Sequence, residues 1–276
     1  MAEFRDLNTG ERHTNVGEVS RRNTLMFGGL VAAAALTRGM WPLEAIAAEG
    51  ASEGRPFDIL IALYPTFTLL DFAGVNEVFQ RLTNVRVRLS SPNGGATTSD
   101  THVVIGATER LADISSCDLI CVVGGTDRSS MMTPEVHQEL RRLAGSAKYV
   151  TSVCNGSLIL GAAGLLRGRR SACYWAQRDL LKQFGAIPDR ARVVRDGNFI
   201  SGGGITAGID FALTVAAELR GPVQAQVVQL LMEYEPEPPF HSGRPDTAPP
   251  EVLEAFAQRY PHLAALAGLI PSPNRP

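Results

Sequence analysis

From Arg55 onward, short apolar runs alternate with stretches whose apolar residues recur at helical spacing. The runs at 56–64 (PFDILIALY) and 117–125 (CDLICVVGG) are almost continuously apolar, which is typical of strands buried on both faces. Segments 69–82 and 133–145 carry the helical pattern between such strands. This alternation predicts an α/β fold with helices packed on a parallel or mixed sheet.

The first fifty residues have a different character. Two arginines, Arg21 and Arg22, directly precede an apolar run of about 14 residues, and small residues follow at 45–51. The pattern predicts a twin-arginine export signal over 1–50, followed by a single domain over 51–276 with a proline-rich C-terminal tail. The alternative is a short N-terminal anchor helix, but the run is short for a bilayer core of about 30 Å. We therefore expect a periplasmic or secreted protein with no membrane association after signal cleavage.

Charge and residue spacing exclude several classes of function. The net charge of -2, with 20% charged residues, gives no basic surface for nucleic acid. The five histidines are scattered and form no metal-ligand spacing, so we predict neither a metal nor a cofactor. The four cysteines lie in the predicted mature region, where they are either disulfide partners or small buried hydrophobes.

One of these cysteines stands at a hinge. The strand-like segment 148–153 runs into Cys154, and Asn155 and Gly156 then open an apolar helical pattern. Such strand–turn–helix junctions resemble nucleophile elbows, and a helix N-terminus favours an anion, so we expect a lowered thiol pKa and a nucleophilic role. A structural cysteine that packs before a helix is the alternative.

Glycines and a carboxylate supply further candidates. Gly124 and Gly125 end an apolar strand, and Gly204 lies in a glycine run before a helix. At both places the backbone could bind a substrate or stabilise a developing negative charge. The alternative is that both are simply tight turns. Asp71 stands in an apolar stretch, where it is either a helix N-cap or a general acid and base with a raised pKa.

Together these segments resemble a known superfamily. The motifs LLDFAGVNEVF, DLICVVGGT, YVTSVCNGSLILGAAGLLRGRR and VVRDGNFISGGGITAGIDFALTVAAEL are similar to the PfpI/ThiJ superfamily (class I glutamine amidotransferase-like), and most closely to its isonitrile hydratase branch. The similarity extends over about residues 57–250. It implies a flavodoxin-like three-layer α/β sandwich with a mostly parallel sheet, a cysteine on a nucleophile elbow and a homodimer.

The resemblance also implies a reaction on a small molecule. Isonitrile hydratases are lyases that add water to R–N≡C and give an N-substituted formamide through a cysteine thioimidate, with an aspartate handling the protons. The matching positions are Cys154 and Asp71, and Asn155 stands where the family has threonine. Tyr174 replaces the usual histidine, which removes the partner for a Cys–His pair.

Two other functions stay open from the residues. A cysteine that oxidises readily would make a non-enzymatic redox sensor. The fold also resembles the sensor half of some transcription regulators, although only about forty proline-rich residues follow Tyr234, too few for helix-turn-helix domains.

Overall fold

The computed structural model describes residues 54–271, which lie within one compact unit. Its centre is a seven-stranded sheet in the order β10-β11-β7-β6-β1-β2-β5, in which only β10 and β11 pair antiparallel. The strands are β1 (Phe57–Ala62), β2 (Val85–Ser91), β3 (Thr97–Thr98), β4 (Val104–Ile105), β5 (Glu109–Arg110), β6 (Leu119–Val122), β7 (Tyr149–Val153), β8 (Arg170–Ser171), β9 (Ile187–Pro188), β10 (Val193–Asp196) and β11 (Phe199–Gly202).

The helices are α1 (Leu69–Phe79), α2 (Pro134–Ser146), α3 (Gly156–Ala162), α4 (Ala207–Leu231), α5 (Pro250–Arg259) and α6 (Pro261–Leu266). Helix α1 packs against α4, and α2 packs against α3, so that helices cover the sheet in two layers. The central strands β6 and β7 are wholly buried, as the apolar runs predict. The mostly parallel, flavodoxin-like α/β fold expected from the sequence is confirmed.

Local sequence signals explain several boundaries. Thr133 caps α2 by accepting a hydrogen bond from the Val136 N–H at 3.3 Å, and Pro134 follows as the first helical residue. The long apolar segment after residue 206 is broken at Gly221, whose φ of 80° and ψ of 161° interrupt α4 just before Pro222. Segments 205–219 (ITAGIDFALTVAAEL) and 222–234 (PVQAQVVQLLMEY) each carry a helical pattern, and a helix is present on either side of this kink.

Two regions differ from what their sequences predict. Segment 169–175 (RRSACYW) predicts a strand, which is reduced to the two residues of β8, and segment 176–185 (AQRDLLKQFG) predicts an α-helix, which is a 3₁₀ segment over Arg178–Phe184. Segment 235–249 is irregular, as its proline-rich sequence predicts, and α5 and α6 follow it. Each of these short helices has a proline in its first turn, where the missing N–H removes no intrahelical bond.

The predicted export signal lies outside the described residues. Within 54–271, no helix combines the length and apolarity that a membrane crossing requires. Cys117, Cys121, Cys154 and Cys173 are all buried and none is paired in a disulfide, so the described structure has them as free thiols.

Candidate active site

Cys154 lies on a sharp elbow between β7 and α3. Its φ of 59° is a left-handed conformation that non-glycine residues rarely adopt, and its N–H donates to the carbonyls of Gly202 (3.1 Å) and Gly203 (2.9 Å). Helix α3 can begin close to the sheet only because residue 156 is glycine: a Cβ there would lie 2.2 Å from the Val122 carbonyl oxygen. The backbone is thus held in a strained turn at the carboxyl end of a central strand, as the sequence predicted.

Asp71 faces this cysteine across Gly124. A Cβ at Gly124 would lie 2.6 Å from Asp71 Oδ2 and 2.7 Å from Cys154 Cβ, so the close approach of carboxylate and cysteine requires glycine at this position. The N-cap of α1 is Thr68, and Asp71 lies in the first turn with no exposed surface. Neither of its carboxylate oxygens has a hydrogen-bond partner of normal geometry in the described residues. The N-cap interpretation of Asp71 is therefore wrong.

Burial dominates the acid–base properties of the pair. Removal from water raises the pKa of Asp71 to about 7, with a further increase from the charge of Asp100. The Cys154 thiol and the Gly124 N–H counteract this only partly, because neither completes a normal hydrogen bond to the carboxylate. Burial, followed by the Asp71 charge, also raises the pKa of Cys154 well above its ordinary value. The lowered thiol pKa expected from the sequence is wrong, since burial beside a carboxylate outweighs the N-terminus of a seven-residue helix.

Asn155 forms hydrogen bonds that hold the diglycine, Gly124–Gly125, in place. Its Oδ1 accepts from the Gly125 N–H at 2.9 Å, and its Nδ2 donates to the Gly125 carbonyl at 2.9 Å and to Gln177 Oε1 at 2.8 Å. Both Nδ2 hydrogens and one Oδ1 lone pair are thereby used. The described geometry makes Asn155 a positioning residue for Gly125.

Gly204 completes the predicted group. A Cβ at Gly204 would lie 3.2 Å from Cys154 Sγ and 2.6 Å from Tyr174 Cδ2, so the thiol and the tyrosine ring both abut this glycine. All six residues singled out in the sequence are thus brought together at the carboxyl edge of the sheet: Asp71, Gly124, Gly125, Cys154, Asn155 and Gly204.

Comparison with known proteins decides the family. The model of the DJ-1/PfpI family matches residues 58–218, which include the elbow, the diglycine and Asp71. The chain belongs to this family. It is 49% identical over 198 residues to the isonitrile hydratase of Pseudomonas putida, a match that covers 71% of this chain and 87% of that relative.

Solved structures of family members agree with this assignment. A ThiJ/PfpI family protein from Pseudomonas syringae matches with a TM-score of 0.70 and 36% identity, over 80% of this chain and 98% of the other. DJ-1beta of Drosophila melanogaster matches with a TM-score of 0.58 and 25% identity, over 64% of this chain and 98% of its own.

In this family member, an aromatic stack extends from the thiol to the C-terminal helices. Tyr174 contacts Trp175 (5.9 Å between ring centroids), Trp175 contacts Phe256 (5.1 Å), and Phe256 contacts Tyr260 (5.3 Å). Helix α5 is thereby joined to the wall beside Cys154. The sequence interpretation missed Phe256 and Tyr260, because they lie about eighty residues from Trp175 and no local spacing relates them.

Two further residues near the diglycine were also missed. A Cβ at Gly125 would lie 2.8 Å from both Cε2 and the hydroxyl of Tyr64, whose side chain is fully buried. Arg128 follows on the loop after the diglycine, and its Nη1 reaches Gln177 Oε1 at 3.4 Å. The position of Tyr64 directly after the first apolar run, at the edge where ligands bind in such sheets, is the signal that could have identified it.

Proposed function

We propose that the protein hydrates isonitriles to N-substituted formamides, with Cys154 as nucleophile and Asp71 as the proton carrier. The observation that carries this proposal is the pair itself: a cysteine on a strained elbow beside a buried carboxyl whose pKa is about 7. The 49% identity to an isonitrile hydratase supports the same reaction. Tyr174, next to the thiol, has no basic nitrogen, so the site favours a carboxyl-based over a histidine-based mechanism.

In the first step, the Cys154 sulfur bonds to the terminal carbon of R–N≡C. The thiol proton passes to Asp71 and from there to the same carbon, which gives the thioimidate R–N=CH–S–Cys154. Because the pKa of Asp71 is about 7, both of its protonation states are populated at neutral pH, and one group can accept and return the proton. The raised pKa of Cys154 keeps the sulfur protonated until this transfer.

In the second step, water adds across the C=N bond. Asp71 accepts a proton from the water as the hydroxyl bonds to carbon, and it supplies the proton that the nitrogen gains. The C–S bond then breaks as the C=O bond forms, and the hydroxyl proton passes to the sulfur, which releases R–NH–CHO and restores the thiol. The Gly124 N–H lies on the Asp71 side of this loop, whereas the Gly125 N–H donates to Asn155, which holds the loop in place.

The test is formamide production from a panel of alkyl and aryl isonitriles by the purified protein. Cys154→Ala should abolish turnover, and Asp71→Asn should reduce it by about 10²- to 10⁴-fold, the usual range for a lost general acid–base. Cys117→Ala is the matched control, because this buried thiol precedes β6 at the opposite end of that strand. Absence of formamide with every isonitrile would reject the proposal.

A redox-sensor role has weaker support. Oxidation to a sulfenic acid requires an accessible thiolate, whereas Cys154 is 4% exposed and its pKa is raised. Rapid peroxide oxidation of Cys154 in a protein that hydrates no isonitrile would favour the sensor.

We further propose that the protein is exported by the twin-arginine pathway and acts as a homodimer on a small molecule. The arginine pair at the start of the apolar run supports export, and the family resemblance supports the dimer. Replacing Arg21 and Arg22 with lysine should retain the protein in the cytoplasm, and light scattering of the mature protein should give twice the chain mass.

A further inference from the structure

Buried polar atoms without partners concentrate beside the proposed nucleophile. Among residues 54–271, seven buried side-chain nitrogen or oxygen atoms make no hydrogen bond, and four of these belong to Asp71, Tyr64 and Arg128. An unpaired buried polar group is destabilising, and this concentration of such groups beside the nucleophile is consistent with partners that a bound ligand supplies. The two Asp71 oxygens belong to the proposed proton carrier. The Tyr64 hydroxyl and Arg128 Nε have no role in the mechanism above.

These two groups are held in neighbouring loops. Tyr64 lies on the loop after β1, and Arg128 lies on the loop after the diglycine. The loops are joined by hydrogen bonds from the Thr126 N–H to the Thr66 carbonyl (3.0 Å) and from the Asp127 N–H to Thr66 Oγ1 (3.0 Å). A second connection runs from Arg128 through Gln177 to Asn155, which braces Gly125. Both donors are therefore fixed at one edge of the site.

Both groups are hydrogen-bond donors, and apart from Asp71 the nearby acids are already engaged. Asp127 accepts from the Ser129 N–H (2.9 Å) and from Ser129 Oγ (3.0 Å), and Asp100 accepts from Thr68 Oγ1 (2.9 Å). Arg128 is half-buried and forms no ion pair with a carboxylate of residues 54–271. A buried phenol and a half-buried guanidinium with free donors match an anionic oxygen acceptor.

We propose that Tyr64 and Arg128 form a carboxylate subsite, which binds a carboxylate carried by the ligand of the Cys154 site. If the proposed function holds, the substrate class is then isonitriles that bear a carboxylate, such as isocyanoacetate. The isonitrile carbon lies against Cys154, and the carboxylate accepts from the Tyr64 hydroxyl and the Arg128 guanidinium. Asp71 lies on the Gly124 side of the diglycine, whereas Tyr64 lies on the Gly125 side, so the two carboxylates occupy different ends of the site.

Binding can be measured without turnover in the Cys154→Ala protein. Calorimetry compares N-formylglycine, the product expected from isocyanoacetate, with N-propylformamide, which has a similar size and no charge. We expect N-formylglycine to bind about 10- to 100-fold more tightly, the range for a charged hydrogen-bonded contact. Adding Arg128→Gln or Tyr64→Phe should reduce this ratio. Arg190→Gln, which neutralises an exposed arginine, is the matched control and should preserve it.

The outcomes separate this proposal from the proposed function. The carboxylate subsite is overturned if the affinity ratio of N-formylglycine to N-propylformamide survives both substitutions. It is also overturned if the two compounds bind equally, or if neither binds detectably. Turnover of isocyanoacetate and of neutral isonitriles is measured in parallel. Preferential binding of the carboxylate without formamide production supports the subsite and rejects the hydratase. Turnover without preferential binding of the carboxylate supports the hydratase and rejects the subsite. Circular dichroism of each variant excludes misfolding as the cause of a lost preference.

Discussion

Replacing Asp71 with asparagine should change how the stability of the protein depends on pH. The pKa of Asp71 is about 7 in the folded protein and 3.8 in the reference state, chiefly because the carboxylate is buried without normal hydrogen bonds. The folded state therefore binds this proton more tightly than the unfolded state. Ionisation of Asp71 consequently destabilises the fold as the pH rises from about 4 through 7.

The separation of the two pKa values corresponds to about 4 kcal/mol of unfolding free energy. Since Asp71 has no exposed surface, solvent screening does not diminish this figure appreciably. Asparagine has nearly the same shape but does not titrate. The unfolding free energy of Asp71→Asn, relative to wild type, should therefore increase by about 4 kcal/mol between pH 4 and pH 8.

Urea unfolding at several pH values, followed by circular dichroism, measures this difference. Asp118→Asn is the control of opposite sign, because Arg55 lowers the pKa of Asp118 through a side-chain hydrogen bond at 2.7 Å. Asp118 stabilises the fold above its unfolded pKa, and this contribution is lost as the pH falls through the folded pKa. A pH-independent difference for Asp71→Asn, or one that favours wild type at high pH, would refute the account of a buried, raised-pKa carboxyl.

Three further predictions test the site. Gly124→Ala places a Cβ within 3 Å of Asp71, Cys154 and Asn155, so it should lower the turnover rate and reduce the unfolding free energy by about 1–3 kcal/mol. Gly145→Ala is the control, because its Cβ meets nothing within 4 Å, and it should leave both quantities nearly unchanged. Turnover assays and urea unfolding measure the two effects. Iodoacetamide should alkylate native Cys154 slowly at pH 7, with a rate that still increases with pH at pH 9, as peptide mass mapping would follow; a fast reaction at pH 7, or a rate that has levelled off by pH 9, would contradict the raised thiol pKa. Phe256→Ala removes the ring packed on Trp175 and should raise KM several-fold, whereas Phe240→Ala, at a side chain that is 78% exposed, should not; equal KM values would exclude a role for α5 at the site.

The sequence predicted the parts of the fold that depend on local patterns. Apolar runs identified the central strands. The strand–turn–helix pattern located the elbow at Cys154, because residues that are adjacent in the sequence are also adjacent in the fold. The family resemblance paired Cys154 with Asp71, two residues that no spacing rule would connect. Asn155 was also identified, although its contact with Gly125 could be seen only in three dimensions.

Other features could not be predicted because they depend on contacts between distant segments. The direction of the Cys154 pKa shift reflects burial and the charge of Asp71, neither of which is encoded in the residues around the cysteine. Likewise, the stack of Trp175 on Phe256 requires the C-terminal tail to return to the site. Proline content correctly predicted the irregular segment 235–249, but it gave no sign of α5 and α6, whose prolines occupy first-turn positions that a helix tolerates.

The central claim is that Cys154 bonds to the isonitrile carbon. This bond can be detected directly if protein is mixed with an isonitrile, quenched rapidly in acid and analysed by mass spectrometry. We predict a mass increase equal to one isonitrile on the peptide that contains Cys154, together with loss of both adduct and formamide in Cys154→Ala but not in Cys117→Ala. Formamide production that continues in Cys154→Ala, or an adduct on another residue, would contradict the account.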